Sequence, residues 1–346
     1  MANIYDVAKL ARVSTATVSA VVNDQDKVEK RTRERVLDAI QQLHYQPNLY
    51  ARNLAKGQTR LLGLIISDVL NPYFGELSQL IRIEAEACGY EVVLADTQFS
   101  QHSLLSIIRR MVGMRMAGIA IMTSEMNSQV LEVLRNSRTA AVFEDVGTVS
   151  KNISNVRIDY EGGIFKAMKY LVDLGHREII FVQTDPEADQ KHHPLLSIRL
   201  RTEAFKKVAQ QFKDSGVRAK IISHRGPGPR AGEEAIRGVL DSQRKFTAVM
   251  AIADPVAIGV LRTLQRKGIR VPEDVSIVGF DNSYLCDYLY PPLTSVNIPR
   301  DKLAKAVVDS LLGTVERKEP GRELYLDTDL VVRESATPLA PAAKSK

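Results

Sequence analysis

The chain has 346 residues, 45% of them hydrophobic and 25% charged, with 20 Gly and 14 Pro. That length is more than twice the roughly 150 residues of a typical domain, and the composition excludes a fibrous, collagen-like or wholly disordered chain. The net charge is +6, and residues 1 to 60 hold ten basic residues against six acidic ones, so most of the excess sits in the first sixth of the chain.

The opening residues, MANIYDVAKLARVS, contain no apolar signal region, so secretion is not expected. Ile4, Val7, Ala8, Leu10 and Ala11 recur at helical spacing, Ser14 is a suitable N-cap for a second helix over 15–22, and Val18, Val21 and Val22 form that helix's buried stripe. A third helix begins near Thr32, presents Val36, Ala39, Ile40 and Leu43 on one face, and ends before Pro47. Three short helices with a tight first turn fit a helix-turn-helix module. Its basic charge suits a polyanion, or else marks a solvated face.

After Gly57 apolar strand-like runs alternate with helical patterns: LLGLIIS, YEVVLAD and GIAIMT, then EIIFVQ, AKIIS, AVMAIA and VSIVGF. This is βαβ grammar, and it implies parallel sheets in two α/β halves that divide near residue 160. The longest apolar runs fall well short of the ~18 residues a membrane span requires, so no membrane partner is expected. The final residues, SATPLAPAAKSK, have almost nothing to bury and read as a disordered tail over 336–346. Cys88 and Cys286 lie far apart in sequence, which fits reduced thiols in a cytosol and gives no metal spacing.

Several strands end in an acid: Asp68, Asp96, Asp254 and Asp281. Ligands of open parallel sheets bind outside the carboxyl ends of the strands, so these carboxylates are placed to meet a polar ligand. Alternatively they cap the helices that follow.

Together the motifs resemble the lactose-repressor (LacI/GalR) family of bacterial transcription regulators. The likeness is carried by Asp6-Val7-Ala8, Val13-Ser14, Thr17-Val18-Ser19, Asn23, Thr32-Arg33, Arg35-Val36 and Tyr45-Gln46-Pro47-Asn48. It continues through Ala51-Arg52-Asn53-Leu54, Asn71-Pro72-Tyr73-Phe74, Gly175-His176-Arg177, Val271-Pro272 and Gly279-Phe280-Asp281. The resemblance implies an α/β fold: a helix-turn-helix head (1–46), a hinge helix and linker (47–60), and a two-lobed periplasmic-binding-protein-like body of parallel sheets (61–335). In that body the lobes cross back near 290 and 320.

The same resemblance implies that Thr15, Ala16, Thr17, Ala20 and Asn23 read operator DNA. Position 20 departs from the family's usual Arg, and an Ala there can only contact a thymine methyl or leave room, so the half-site should differ from the common one. Arg12 stands where many relatives have Gly, and a positive φ would strain it modestly. Asn48, Ala51 and Leu54 belong to the hinge helix. Its roughly nine residues are marginal in water and should order only with DNA and a second chain. Leu54 corresponds to the leucine wedged into the minor groove, an ordinary core leucine being the alternative.

In the body the resemblance implies an effector site containing Arg201 and Asp281, with Asp159, Ser197 and Tyr73 or Phe74 nearby and Asp254 at a strand end. Arg199 remains a substitute for Arg201, because Ala204 stands where the family's motif has Gly. A guanidinium fork and a hydroxyl-accepting carboxylate suit a sugar or sugar acid. Ala253 replaces the Asn of many sugar-sensing relatives, which removes one polar contact. His192 and His193 read as exposed loop histidines and His176 as a structural turn residue.

No phosphate loop, nucleophile elbow or metal motif is present in the sequence, so no catalytic residue, metal or cofactor is expected. The expected protein is a cytoplasmic, homodimeric regulator that binds double-stranded operator DNA, most simply a repressor answering to a small sugar or sugar derivative. A global catabolite-type regulator answering to a phosphoprotein partner is the alternative.

Overall fold

Asn3 opens the first helix by accepting the N–H groups of Tyr5 at 2.9 Å and Asp6 at 3.2 Å, and Asp6 Oδ2 returns a bond to the Asn3 N–H at 2.9 Å. This reciprocal cap satisfies donors that a helix start leaves orphaned. The computed structural model describes residues 2–22, 28–46, 59–123, 125, 128–145, 147–185, 195–226 and 228–339. It divides into two units, Met1–Thr59 and Arg60–Lys346.

The first unit contains α1 (Ile4–Ala11), α2 (Thr15–Val22) and α3 (Lys30–Gln42). Val7, Ala8, Ala11, Val18, Val21, Val36 and Ala39 form its core. Leu10 is 46% exposed, because the tenth position turns away from the stripe that Val7 and Ala11 define. Arg12 closes α1 at φ 54°, in the left-handed region, so the strain foreseen for a non-glycine at this turn is present. Ser14 caps α2 by accepting the Thr17 N–H at 3.1 Å.

The second unit holds two six-stranded sheets. Strands β1 (Leu61–Ile66), β2 (Glu91–Asp96), β3 (Gly118–Met122), β4 (Ala140–Glu144), β5 (Ile153–Ile158) and β11 (Glu323–Leu326) form the first, in the order β11-β5-β4-β3-β1-β2. The second is formed by β6 (Glu178–Asp185), β7 (Arg218–Arg225), β8 (Ala248–Ala251), β9 (Ser276–Asp281), β10 (Thr294–Asn297) and β12 (Asp329–Val331), in the order β12-β10-β9-β8-β6-β7. Every pairing is parallel except that of β10 with β12. The central strands read as continuous apolar runs because helices cover both faces, as in β3 and β9, whose residues are all buried. Edge strand β2 is covered less completely, leaving the consecutive Val93 and Leu94 at 38% and 45% exposure.

Helices α4 (Pro72–Ala87) and α11 (Arg300–Val315) pack together on the first lobe, and α7 (Tyr160–Asp173) and α8 (Leu196–Gln211) on the second. The chain therefore leaves the first lobe after Ile158, returns between Asn297 and Arg300, and crosses once more between Leu326 and Asp329. The last two crossings lie beyond the expected 290 and 320, because the short strands β10, β11 and β12 carry too little pattern to be seen in the sequence. Residues 337 and 339, at the start of the expected tail, are held by hydrogen bonds. The Thr337 N–H donates to Ser276 Oγ at 3.1 Å, and the Leu339 N–H to the Leu174 carbonyl at 2.9 Å.

Candidate functional site

The carboxyl edges of the two sheets face each other across a cavity of about 790 Å³. Asp68 after β1, Glu144 at the end of β4 and the Tyr73-Phe74 pair on α4 line it from the first lobe, and Ser197 and Arg201 on α8 and Asp281 at the end of β9 from the second. This is where parallel sheets present ligand sites, since the strands end there and the following helices begin.

Arg201 is held on several sides in the cavity. Its Nη2 meets Asp281 Oδ1 at 2.9 Å and its Nη1 donates to the Ile252 carbonyl at 2.7 Å. The guanidinium lies 4.3 Å from the Phe280 ring centroid and 5.0 Å from that of Tyr160, stacking geometry that favours Arg over Lys. Its buried Nε has no partner among the described residues. Burial opposes the guanidinium's charge, but Asp281 outweighs it and holds Arg201 above its usual range. Arg199, the alternative, is exposed and outside the lining, because it falls two residues away on the helix and so on another face.

Asp281 sits at φ 104° and Asn282 at φ 52°, conformations that cost a side-chain-bearing residue on the order of 1–3 kcal/mol each. Arg300 donates to both of their carbonyl oxygens, to Asn282 at 2.7 Å. Burial raises the Asp281 pKa, and the Arg201 charge works against that shift.

Two expected site residues are placed elsewhere by the fold. Asp159 is exposed, lies outside the cavity and caps α7 by accepting the Gly162 N–H at 2.9 Å; its neighbour Tyr160 lines the cavity instead. Asp254 is fully buried and faces away from the cavity. Its carboxylate accepts Ser295 Oγ at 2.6 Å, the Ser283 N–H at 2.7 Å and Cys286 Sγ at 3.2 Å. A Cβ at position 279 would collide with that carboxylate, so Gly279 makes room for it. Asp254 therefore ties down the segment after β9. Burial, together with the Asp281 charge, pushes it up to about 7. Asp96 accepts the Gln98 N–H at 2.9 Å and is a turn former outside the lining.

Sequence patterning missed Glu144 and Asp145. Burial, reinforced by the Asp145 carboxyl, pushes Glu144 up to about 8, and Tyr73 donates to its Oε1 at 3.2 Å. Asp145 accepts the Tyr160 hydroxyl at 2.6 Å and the Ile158 N–H at 2.9 Å. The signal was available, because the run Ala140–Phe143 is followed by an acid as the runs of β2 and β9 are. His176 is structural: its ring nitrogens lie 3.0 Å from Thr247 Oγ1 and 3.0 Å from the Thr337 carbonyl, and burial lowers its pKa. His192 and His193 lie outside the described residues.

On the head, Ala16 is exposed and Thr15, Thr17 and Ala20 are half-buried; Ala16 and Ala20 lie on the side of α2 away from Val18 and Val21, whereas Thr17, four residues before Val21, flanks that stripe. Thr17 Oγ1 shares a hydrogen bond with Ser14 Oγ at 2.9 Å. Asn23, Asn48, Ala51 and Leu54 lie outside the described residues.

Residues 3–48 match the family described as bacterial regulatory proteins, lacI family, and residues 168–336 match the periplasmic binding protein-like domain. The chain is 34% identical to catabolite control protein A of Priestia megaterium, over 91% of this chain and 93% of that one. It is 30% identical to the transcriptional repressor PurR of Vibrio vulnificus, over 97% and 98% of the two chains. Among solved structures it is similar to the lac repressor dimer bound to operator and the anti-inducer ONPF, with a TM-score of 0.79 at 26% identity, covering 98% of this chain and 99% of that one.

Proposed function

The chain belongs to the lacI family of bacterial regulatory proteins, and on that premise we propose that it is a homodimeric repressor whose grip on operator DNA is set by a small molecule in the cleft. The observation that carries this reading is the buried Arg201–Asp281 pair at the carboxyl edge of the second sheet, in a chain whose other unit is a helix-turn-helix head. Its donor fork and acceptor oxygens, with aromatic rings around them, suit a hydroxylated ligand, a sugar or sugar derivative. An effector of this kind acts only through unequal affinity for the DNA-competent and DNA-incompetent forms.

Thr15, Ala16, Thr17 and Ala20 are proposed to face the major groove, with Asn23 beside them, and Asn48, Ala51 and Leu54 to act at the operator centre. The role assigned is binding, with no chemical step. The second reading, a catabolite-type regulator answering to a phosphoprotein partner, draws on the likeness to catabolite control protein A. The test is operator binding by the full-length protein against salt and against a metabolite panel. Log K should fall steeply with log salt, as counterions leave the phosphates, and one metabolite should shift the affinity. A monomer on DNA, or salt-insensitive binding, would sink the main reading; a response to a phosphoprotein alone would select the second.

A further inference from the structure

The cavity is charged in one sense. Among the described residues its lining carries four carboxyl groups, on Asp68, Glu144, Asp145 and Asp281, and one cation, Arg201. Both terminal nitrogens of Arg201 are already engaged, with Asp281 and the Ile252 carbonyl. Both oxygens of Asp145 are occupied by Ile158 and Tyr160, and Asp68 accepts the Leu70 N–H at 2.9 Å. Asp68, Asp281 and Glu144 each keep one oxygen without a partner among the described residues; Asp281 is already paired with Arg201 and Asp68 shapes the turn before Asn71, which leaves Glu144, whose Oε1 accepts the Tyr73 hydroxyl, as the carboxyl open to a cation.

An anion entering this space would meet the carboxyls of Asp68, Asp145 and Asp281 in a low-dielectric surrounding, where repulsion is poorly screened, and among the described residues the one cation, Arg201, is already paired with Asp281 and offers only its Nε–H. A cation supplies what the site lacks. The rings of Tyr73, Phe74, Phe99 and Tyr160 line the same space, and aromatic rings attract ammonium groups through their quadrupole. Resting on the effector-cleft reading above, we propose that the ligand is an organic cation of sugar size, an amino sugar, whose ammonium group is held by Glu144.

The electrostatics of the cleft agree. Burial and the carboxyls of Asp145 and Asp281 raise Glu144 to about 8, while Arg201 and the Tyr73 hydroxyl oppose the shift. Glu144 therefore holds a proton at pH 7. Placing an ammonium on it favours the carboxylate, so the carboxylic proton passes to solvent and the ligand keeps its own three. Uptake releases a proton from Glu144 alone.

The experiment is isothermal titration of the full-length protein with glucosamine, galactosamine and mannosamine, against glucose, galactose, mannose, glucuronate and glucose 6-phosphate. At least one amine should bind tenfold or more tighter than its neutral parent, the anions should not bind, and titration at pH 7 in buffers of different ionisation enthalpy should show release of close to one proton. Glu144→Gln, neutral like the protonated wild type, should remove both the preference and the proton. Should that variant fail to fold, proton release by the wild type decides. The charge assignment is overturned if a neutral sugar binds as tightly as its amine, if an anion binds, or if none of the amines binds. Asp281→Asn separates the two readings. A sugar that binds this variant undiminished sits outside the cleft, and the effector-cleft reading falls as well; a neutral or anionic sugar lost in this variant removes the charge assignment alone.

Discussion

The main-chain N–H of Tyr284 donates to Glu76 Oε1 at 3.0 Å, so helix α4 of the first lobe holds the loop that follows Asp281 in the second. The other oxygen of Glu76 meets Arg300 Nη2 at 3.2 Å, and Arg300 in turn anchors the left-handed backbone of Asp281 and Asn282. The position of one lobe is thereby linked to the backbone that aims the Arg201 partner.

Glu76→Ala should free the Tyr284 N–H and one side of Arg300. A lost hydrogen bond to a charged group costs about 1.5–3 kcal/mol, and Glu76 is partly exposed, which argues for the lower end. Urea denaturation should show that loss, and amide exchange over 282–285 should quicken. Unchanged exchange there would mean that the contact does not hold the lobes.

Removing one partner of the Arg201–Asp281 pair strands a buried charge, a change that typically costs about 3–5 kcal/mol. Asp281→Ala and Arg201→Ala should therefore each lower the melting temperature as well as abolish the metabolite response. Asp281→Ala and Arg201→Ala made together should cost less than the two single losses added. Additive losses in the double-mutant cycle would show that the two groups are energetically independent.

Glu144 and Asp254 are both raised in the folded protein, to about 8 and about 7, chiefly by burial. A carboxyl raised in this way binds its proton more tightly folded than unfolded, so it favours the fold at low pH and ceases to do so as pH climbs from about 4 toward its folded value. The melting temperature of the effector-free protein should accordingly fall between pH 5 and pH 8. Glu144→Gln should flatten that slope. An identical slope in the variant would assign the pH dependence elsewhere.

Leu54→Ala should weaken operator binding by tenfold or more and leave binding to random duplex nearly unchanged. An apolar wedge contributes only where the duplex centre can kink, whereas phosphate contacts act on any sequence. Fluorescence anisotropy on the two duplexes measures the ratio, and equal losses would remove the wedge.

The sequence pattern exposed those strands whose burial on both faces writes an unbroken apolar run, such as Leu61–Ile66 and Ser276–Asp281. It concealed β5, where Asn155 and Arg157 interrupt the run, and β12, only three residues long. Such strands exist because a neighbouring sheet edge recruits them, which is tertiary information. β4 is an unbroken run too, but Ala140–Phe143 is only four apolar residues long, and Glu144 at its end escapes notice with it. Arg201 and Asp281 were legible through resemblance, but their mutual pairing and the left-handed backbone beneath Asp281 were not. Asp159 enters the site only through the resemblance, and Asp254 as a strand-end acid that could equally cap the next helix; in the fold Asp159 caps α7 and Asp254 binds its own chain.

The double crossing at the end of the body bears on how the protein is made. Both sheets wait for residues near the C-terminus: Glu323–Leu326 pairs with Ile153–Ile158, and Asp329–Val331 with Thr294–Asn297. Pairings between segments so distant in sequence form slowly. The head, whose helices are local, can fold as soon as it leaves the ribosome, whereas neither lobe can complete its sheet until almost the whole chain has been synthesised. A nascent chain stalled near residue 320 would carry a folded DNA-reading unit on a body with an unfinished edge in each lobe, a species that quality control must remove before it reaches an operator.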